Sequence, residues 1–201
     1  MPEAWNFFIS VWLKFFFLLT PFFALSMFLS LTRDATDAFR RKLTLRIGGA
    51  AAVLGLTLFF FGGAIFAVFG ITLNAFRVGA GALLFLSAAN LAQGKALPLS
   101  SVPEEDIAVV PLAMPVIIGP ATIGALLVLG AEIDDHTHRL LGCLALLLAV
   151  AGVTGLLWMA TYIENLLGRR GLTILSKITG LILSALAAQM ILTGVRDFLA
   201  I

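Results

Sequence analysis

The chain has 201 residues, of which 61% are hydrophobic and only 12% charged, with a formal net charge of +2. A soluble domain carries roughly a quarter charged residues, so a water-exposed globule of this composition would present a large apolar surface and aggregate. The small net charge gives no basic patch for nucleic acid, and a single cysteine, Cys143, excludes an intrachain disulfide.

A membrane-spanning helix needs about 20 mostly apolar residues. Six stretches reach that length, at about 7–31, 47–69, 73–92, 107–131, 139–161 and 172–195. Their length favours helices over barrel strands, which are about 10 residues long and alternate in polarity. The first stretch lacks a basic start, and no small-residue cleavage site precedes Arg33, so a signal peptide is not expected. The expected fold class is all-α, a single polytopic membrane domain over residues 1–201.

Loop charge sets the expected orientation. Arg33, Arg40, Arg41, Lys42, Arg46, Lys95, Arg169, Arg170 and Lys177 fall on one side of a six-span topology, and Lys14, Arg77, Arg139 and Arg196 on the other. The positive-inside rule then puts both termini outside. Trp5, Trp12, Trp158 and Tyr162 sit where interfacial anchors belong. Lys14 reads as a side chain that snorkels to the outer interface.

The segment 93–106 is rich in Pro, Ser and acidic residues. Within it, Ser101-Val-Pro-Glu104 reads as a capping box that starts span four. It separates residues 1–92 from 107–201, three spans each. The halves look related: Gly70-Ile-Thr-Leu matches Gly171-Leu-Thr-Ile, and Gly79 matches Gly180, both at an offset of 101. Pro21 and Pro115 sit at a similar offset. An odd number of spans per copy makes the repeats inverted, a recurrent plan of secondary transporters.

Span four contains Pro111-Leu-Ala-Met-Pro-Val-Ile-Ile-Gly-Pro-Ala-Thr-Ile-Gly124. Each proline removes an N–H from the helical ladder and clashes one turn back. Span one has Leu19-Thr-Pro-Phe-Phe-Ala-Leu-Ser26 at the matching place. Freed backbone groups must face protein, water or ligand rather than lipid. Two readings stand: a kink used for packing, or discontinuous helices 1 and 4 whose half-helix N-termini offer N–H groups to an anion. On the second reading the substrate-binding candidates are Thr20, Pro21, Phe23, Ser26, Pro115, Gly119, Pro120, Ala121 and Thr122. Asn90 and Gln189, late in spans three and six, either line a polar cavity or bond between helices.

The stripe Ser176, Gly180, Ser184, Ala188 reads as close helix packing, and Ala75 with Gly79 repeats it in span three. Asp134-Asp-His-Thr-His138 reads as a solvated loop rather than a metal site. No nucleophile faces those histidines and no Walker loop is present, so the chain is not expected to be an enzyme or to use a cofactor.

The stretch Asp106-Ile-Ala-Val-Val-Pro-Leu-Ala-Met-Pro-Val-Ile-Ile-Gly-Pro-Ala-Thr-Ile-Gly124 resembles the signature of the MarC family, the six-helix neutral amino acid transporters. Phe69 to Leu83 and Ile178 to Gly194 are similar to the family's third and last helices, and Phe28-Leu-Ser-Leu-Thr32 to its first loop entry. The resemblance implies a bacterial inner-membrane protein, some of whose relatives move small neutral amino acids such as alanine or glycine. It matches at Pro115, Gly119, Pro120 and Thr122. Span one departs from the family's Asn-Pro-x-Gly-x-x-Pro: Thr20 replaces the asparagine, Phe23 the glycine and Ser26 the second proline, and only Pro21 survives.

The expected function is secondary transport or export of small neutral solutes, small neutral amino acids first. The alternatives are another small solute, drug export included, or a non-transporting membrane scaffold. Expected partners are the lipid bilayer and the solute, with homo-oligomerisation left open.

Overall fold

The computed structural model describes residues 2–33, 35–94, 118–133 and 135–199. Seven helices and no strand occur among them: α1 (Pro2–Leu18), α2 (Pro21–Leu31), α3 (Asp37–Phe69), α4 (Leu73–Gln93), α5 (Pro120–Ala131), α6 (His136–Trp158) and α7 (Ala160–Leu199). The capping box at Ser101–Glu104, Pro111 and Pro115 lie outside the described residues.

Span one is two helices, α1 and α2, broken at Leu19–Thr20. Phe7 stacks edge-on against His138 at the start of α6, and Phe16 lies against Gly152 further along it. Thus α1 and α6 run in the same direction. At the far end of α2, Arg40 bonds the Thr32 carbonyl. The broken span therefore crosses the bundle instead of turning back.

The second span starts ten residues earlier than its apolar run. Thr36 caps α3 by accepting from the Phe39 N–H, and caps, rather than hydropathy, set helix starts. With 33 residues, α3 is about 50 Å long and overshoots a hydrocarbon core of about 30 Å. The excess is the basic turn carrying Arg40, Arg41, Lys42 and Arg46. At the same end of the bundle, α7 is interrupted at Gly168, whose φ of 65° and ψ of 170° divide it into a short and a long segment.

The bundle has two chemically different ends. At the basic end, Arg40 Nη1 donates to Thr161 Oγ1 at 3.0 Å and the Arg41 guanidinium lies 5.6 Å from the Trp158 ring centroid. At the opposite end, Arg77 pairs with Glu132 at 2.9 Å and with Asp197 at 3.2 Å. The long segment of α7 packs antiparallel to α4. A Cβ added at Gly180 would stand 2.6 Å from Ala92 N and 2.8 Å from Ala88 O; one at Gly81 would stand 3.1 Å from Ala187 O and 3.2 Å from Ile191 N. Gly81, not Gly79, is thus the close-approach glycine of α4: Gly79 is exposed and a Cβ there would meet nothing within 4 Å.

The structural landmarks of the two halves recur 99 residues apart, not 101. The helix N-caps Thr20 and Gly119, the first-turn prolines Pro21 and Pro120, and the N-caps Thr36 and Asp135 all stand at that spacing. So do the packing glycines Gly81 and Gly180, with their contact partners Ala88 and Ala187. Pro120 stands at that spacing from Pro21, while Pro115, paired with Pro21 from the sequence, lies outside the described residues.

Candidate functional site

Pro21 has no N–H to give the Phe17 carbonyl, so the ladder of α1 cannot pass through it. The Thr20 N–H takes that carbonyl instead, at 2.9 Å, closing a tighter turn. Thr20 itself is left-handed, with φ 47° and ψ 55°, the one positive-φ residue other than glycine among the described residues. That conformation is unfavourable for a β-branched side chain. The chain re-enters a helix at Pro21, where the fixed φ suits the first helical position. Across the bundle, α5 starts in the same way, with Gly119 as N-cap and Pro120 at its start.

The two starts meet. Thr122, in the first turn of α5, donates its hydroxyl to the Leu18 carbonyl at 3.3 Å. In an unbroken helix that carbonyl would accept from Phe22. Two half-helix N-termini therefore converge at mid-bundle beside the end of α1. The first N–H groups of a helix have no partner within it. Where α3, α4 and α6 begin, a side chain accepts from one of them: Thr36, Thr72 and Asp135. At α2 the Thr20 side chain makes no such cap bond, and at α5 the N-cap Gly119 has no side chain to make one. The surroundings are apolar: Leu18, Leu19, Ile118 and Ala121 are all buried. There the partial positive charge of the two N-termini is weakly screened.

A cavity of about 210 Å³ at the Arg77 end extends along α1 as far as Leu18, its last residue. Leu18 forms part of its wall, Leu84, Ala125 and Val128 supply apolar lining, and Lys14, Arg77, Glu132, Gln189 and Thr193 bring polar groups. Arg77 is anchored at its rim by Glu132, Asp197 and the Asn74 amide oxygen at 2.9 Å.

The predicted site residues divide among these places. Thr20, Pro21, Gly119, Pro120, Ala121 and Thr122 cluster at the two breaks. Phe23 is half-buried in the first turn of α2 and packs against the core. Ser26 lies further along α2 and lines a different hollow, at the basic end, with Glu164 and Arg169. Gln189 lines the cavity, but Asn90 is exposed one turn before α4 ends. Pro115 falls outside the described residues. Sequence reasoning missed Lys14, Arg77 and Glu132 as cavity groups; the available signal was Arg77, a charge one turn inside an apolar span.

The histidine-containing loop is a helix cap. Asp135 accepts from the His138 N–H at 3.2 Å and pairs with its ring Nδ1 at 2.9 Å. The hydrogen bond from His138 holds the Asp135 carboxyl below its ordinary range. Among the described residues no group of three or more His, Cys, Asp or Glu could hold a metal.

These features define a polytopic α-helical membrane protein with helices interrupted inside the bundle. The chain belongs to the MarC family of integral membrane proteins, whose pattern it matches over residues 5–199. It is 34% identical over 202 residues to a UPF0056 membrane protein of Methanocaldococcus jannaschii, covering 96% of this chain and 98% of that one. Its identity to the UPF0056 membrane protein YhcE of Escherichia coli is 29% over 203 residues, covering 97% and 93% of the two chains. No solved structure matches significantly.

Proposed function

We propose that this protein is a secondary carrier of small neutral solutes, small neutral amino acids foremost, and not an enzyme. The observation that carries this reading is the convergence of the α2 and α5 N-termini, joined by the Thr122–Leu18 hydrogen bond, beside a cavity that extends from one end as far as Leu18. Exposed N–H groups with a local positive potential suit a carboxylate. The Leu18 carbonyl at the same break, now held by the Thr122 hydroxyl, has a second lone pair that suits an ammonium group. A solute carrying both has no net charge and needs no ionised side chain at the midpoint.

The 99-residue recurrence supports two three-span copies. Because the corresponding helices α4 and α7 are antiparallel, the copies would be inverted, and the site would lie where they meet. The basic end faces the cytoplasm on this reading, and both termini lie on the other side of a bacterial inner membrane. A scaffold, by contrast, would call for an intact helix through Pro21, whereas α1 stops at Leu18 and α2 begins at Pro21. The Phe23 ring, in place of the glycine that the resemblance implies, narrows the space beside the break and favours the smallest substrates.

The test is uptake of labelled alanine or glycine into liposomes containing the purified protein, with exchange against unlabelled solute. Flux above empty vesicles is expected, and Gly119→Leu should abolish it by filling the gap at the start of α5. No flux over a panel of small neutral amino acids would sink the proposal.

A further inference from the structure

Lys14 lies nine residues beyond Trp5, about 14 Å further along α1. It precedes Leu18, the last residue before the break, by one turn. The side chain is half-buried and lines the cavity. A cation at such depth is costly, and those that persist face a cavity and pair with something.

The cavity holds no ready partner. Its one lining carboxylate, Glu132, is held by Arg77 at 2.9 Å. The nearby carboxylate of Asp197 is shared between Arg77 at 3.2 Å and Arg196 at 2.7 Å. Among the described residues, Lys14 has neither an ion pair nor a hydrogen bond from a side chain. The lining thus contains two cations and one anion, and the anion is committed to the other cation. The same lining also carries Gln189 and Thr193, both able to donate hydrogen bonds, and the apolar side chains of Leu18, Ala125 and Met190 among others.

We propose that this cavity is a carboxylate site, with Lys14 supplying the counter-charge and Gln189 and Thr193 the neutral donors. Its ligand is a small monocarboxylate with a short apolar body, α-amino acids included. The assignment rests on the carrier reading for its biological meaning, but not for its test. It places the carboxylate one helical turn on the Arg77 side of the break, as a waiting position before the half-helix N-termini.

Ligand-induced thermal stabilisation of the purified full chain in detergent tests it without requiring transport. The probes are L-alanine, propionate, which lacks the ammonium group, and alaninamide, which lacks the carboxylate. L-Alanine and propionate should stabilise the protein and alaninamide should not. Lys14→Met should weaken binding of both carboxylates by about tenfold or more, as expected for loss of a charge-assisted contact. Lys14→Arg should retain binding within a few-fold, and serves as the check that α1 tolerates substitution there. Equal stabilisation by alaninamide, unchanged affinity in Lys14→Met, or no stabilisation by any carboxylate overturns the assignment. Carboxylate binding without flux in liposomes would leave it standing and remove the carrier reading instead.

Discussion

Gly180 and Gly79 form a matched pair for testing how α4 and α7 are joined. A methyl group at Gly180 would stand 2.6 Å from Ala92 N and 2.8 Å from Ala88 O, both backbone atoms that cannot swing aside. Reaching ordinary contact at 3.4 Å requires the two helices to part by up to about 0.8 Å, and close-packed interfaces resist such shifts. Overpacking of this kind costs about 1–3 kcal/mol. Replacing a mid-helix glycine by alanine returns about 0.5–1 kcal/mol through backbone entropy. Gly180→Ala should therefore lose up to about 2.5 kcal/mol net, centred near about 1 kcal/mol. Gly79→Ala, with nothing within 4 Å of the new methyl, should gain about 0.5–1 kcal/mol. Thermal unfolding of the two variants in the same detergent, followed by the loss of monodisperse protein, should move in opposite directions by a few degrees. Equal destabilisation of both, or a Gly180→Ala protein at least as stable as the parent, would refute the packing derived from these contacts.

Further outcomes concern the broken span. Thr20→Gly should stabilise the protein by about 1 kcal/mol, because it relieves a left-handed β-branched residue; a drop in melting temperature would show that the threonine side chain matters more than its strain. Arg40 donates to the Thr32 carbonyl from Nε at 3.1 Å and from Nη2 at 2.8 Å, and so caps the C-terminal end of α2. Arg40→Met should cost about 1–3 kcal/mol and raise hydrogen exchange in the last turn of α2. Unchanged exchange there would mean that the carbonyls find other partners.

On the proposed reading of two inverted copies, the 99-residue spacing pairs Thr20 with Gly119. Thr20 and Gly119 both precede a proline, and each is the N-cap of the helix that follows. The two breaks differ in chemistry, since Gly119 is extended, with φ −79° and ψ 174°, while Thr20 is left-handed. Any asymmetry of a shared site would start from that difference, and Phe23 adds to it on the α2 side.

The membrane class, the apolar stretches behind the described helices and the helix starts at Pro21 and Pro120 were legible in the sequence because each depends on local chemistry. Apolar length answers to the bilayer, and a proline removes a specific N–H wherever the chain goes. The start of α3 was misplaced by its hydropathy, since a side-chain cap at Thr36 carries the helix well beyond the apolar run. Other features were decided only by tertiary structure. Gly79 and Gly81 are indistinguishable by composition; the face of α4 that meets α7 selects between them. Lys14 and Arg77 looked like interfacial charges because sequence position gives depth along a helix but not the direction a side chain faces. That direction is set by which helices pack together, and here it turns Lys14 into the cavity and ties Arg77 to Glu132 and Asp197 on two other helices.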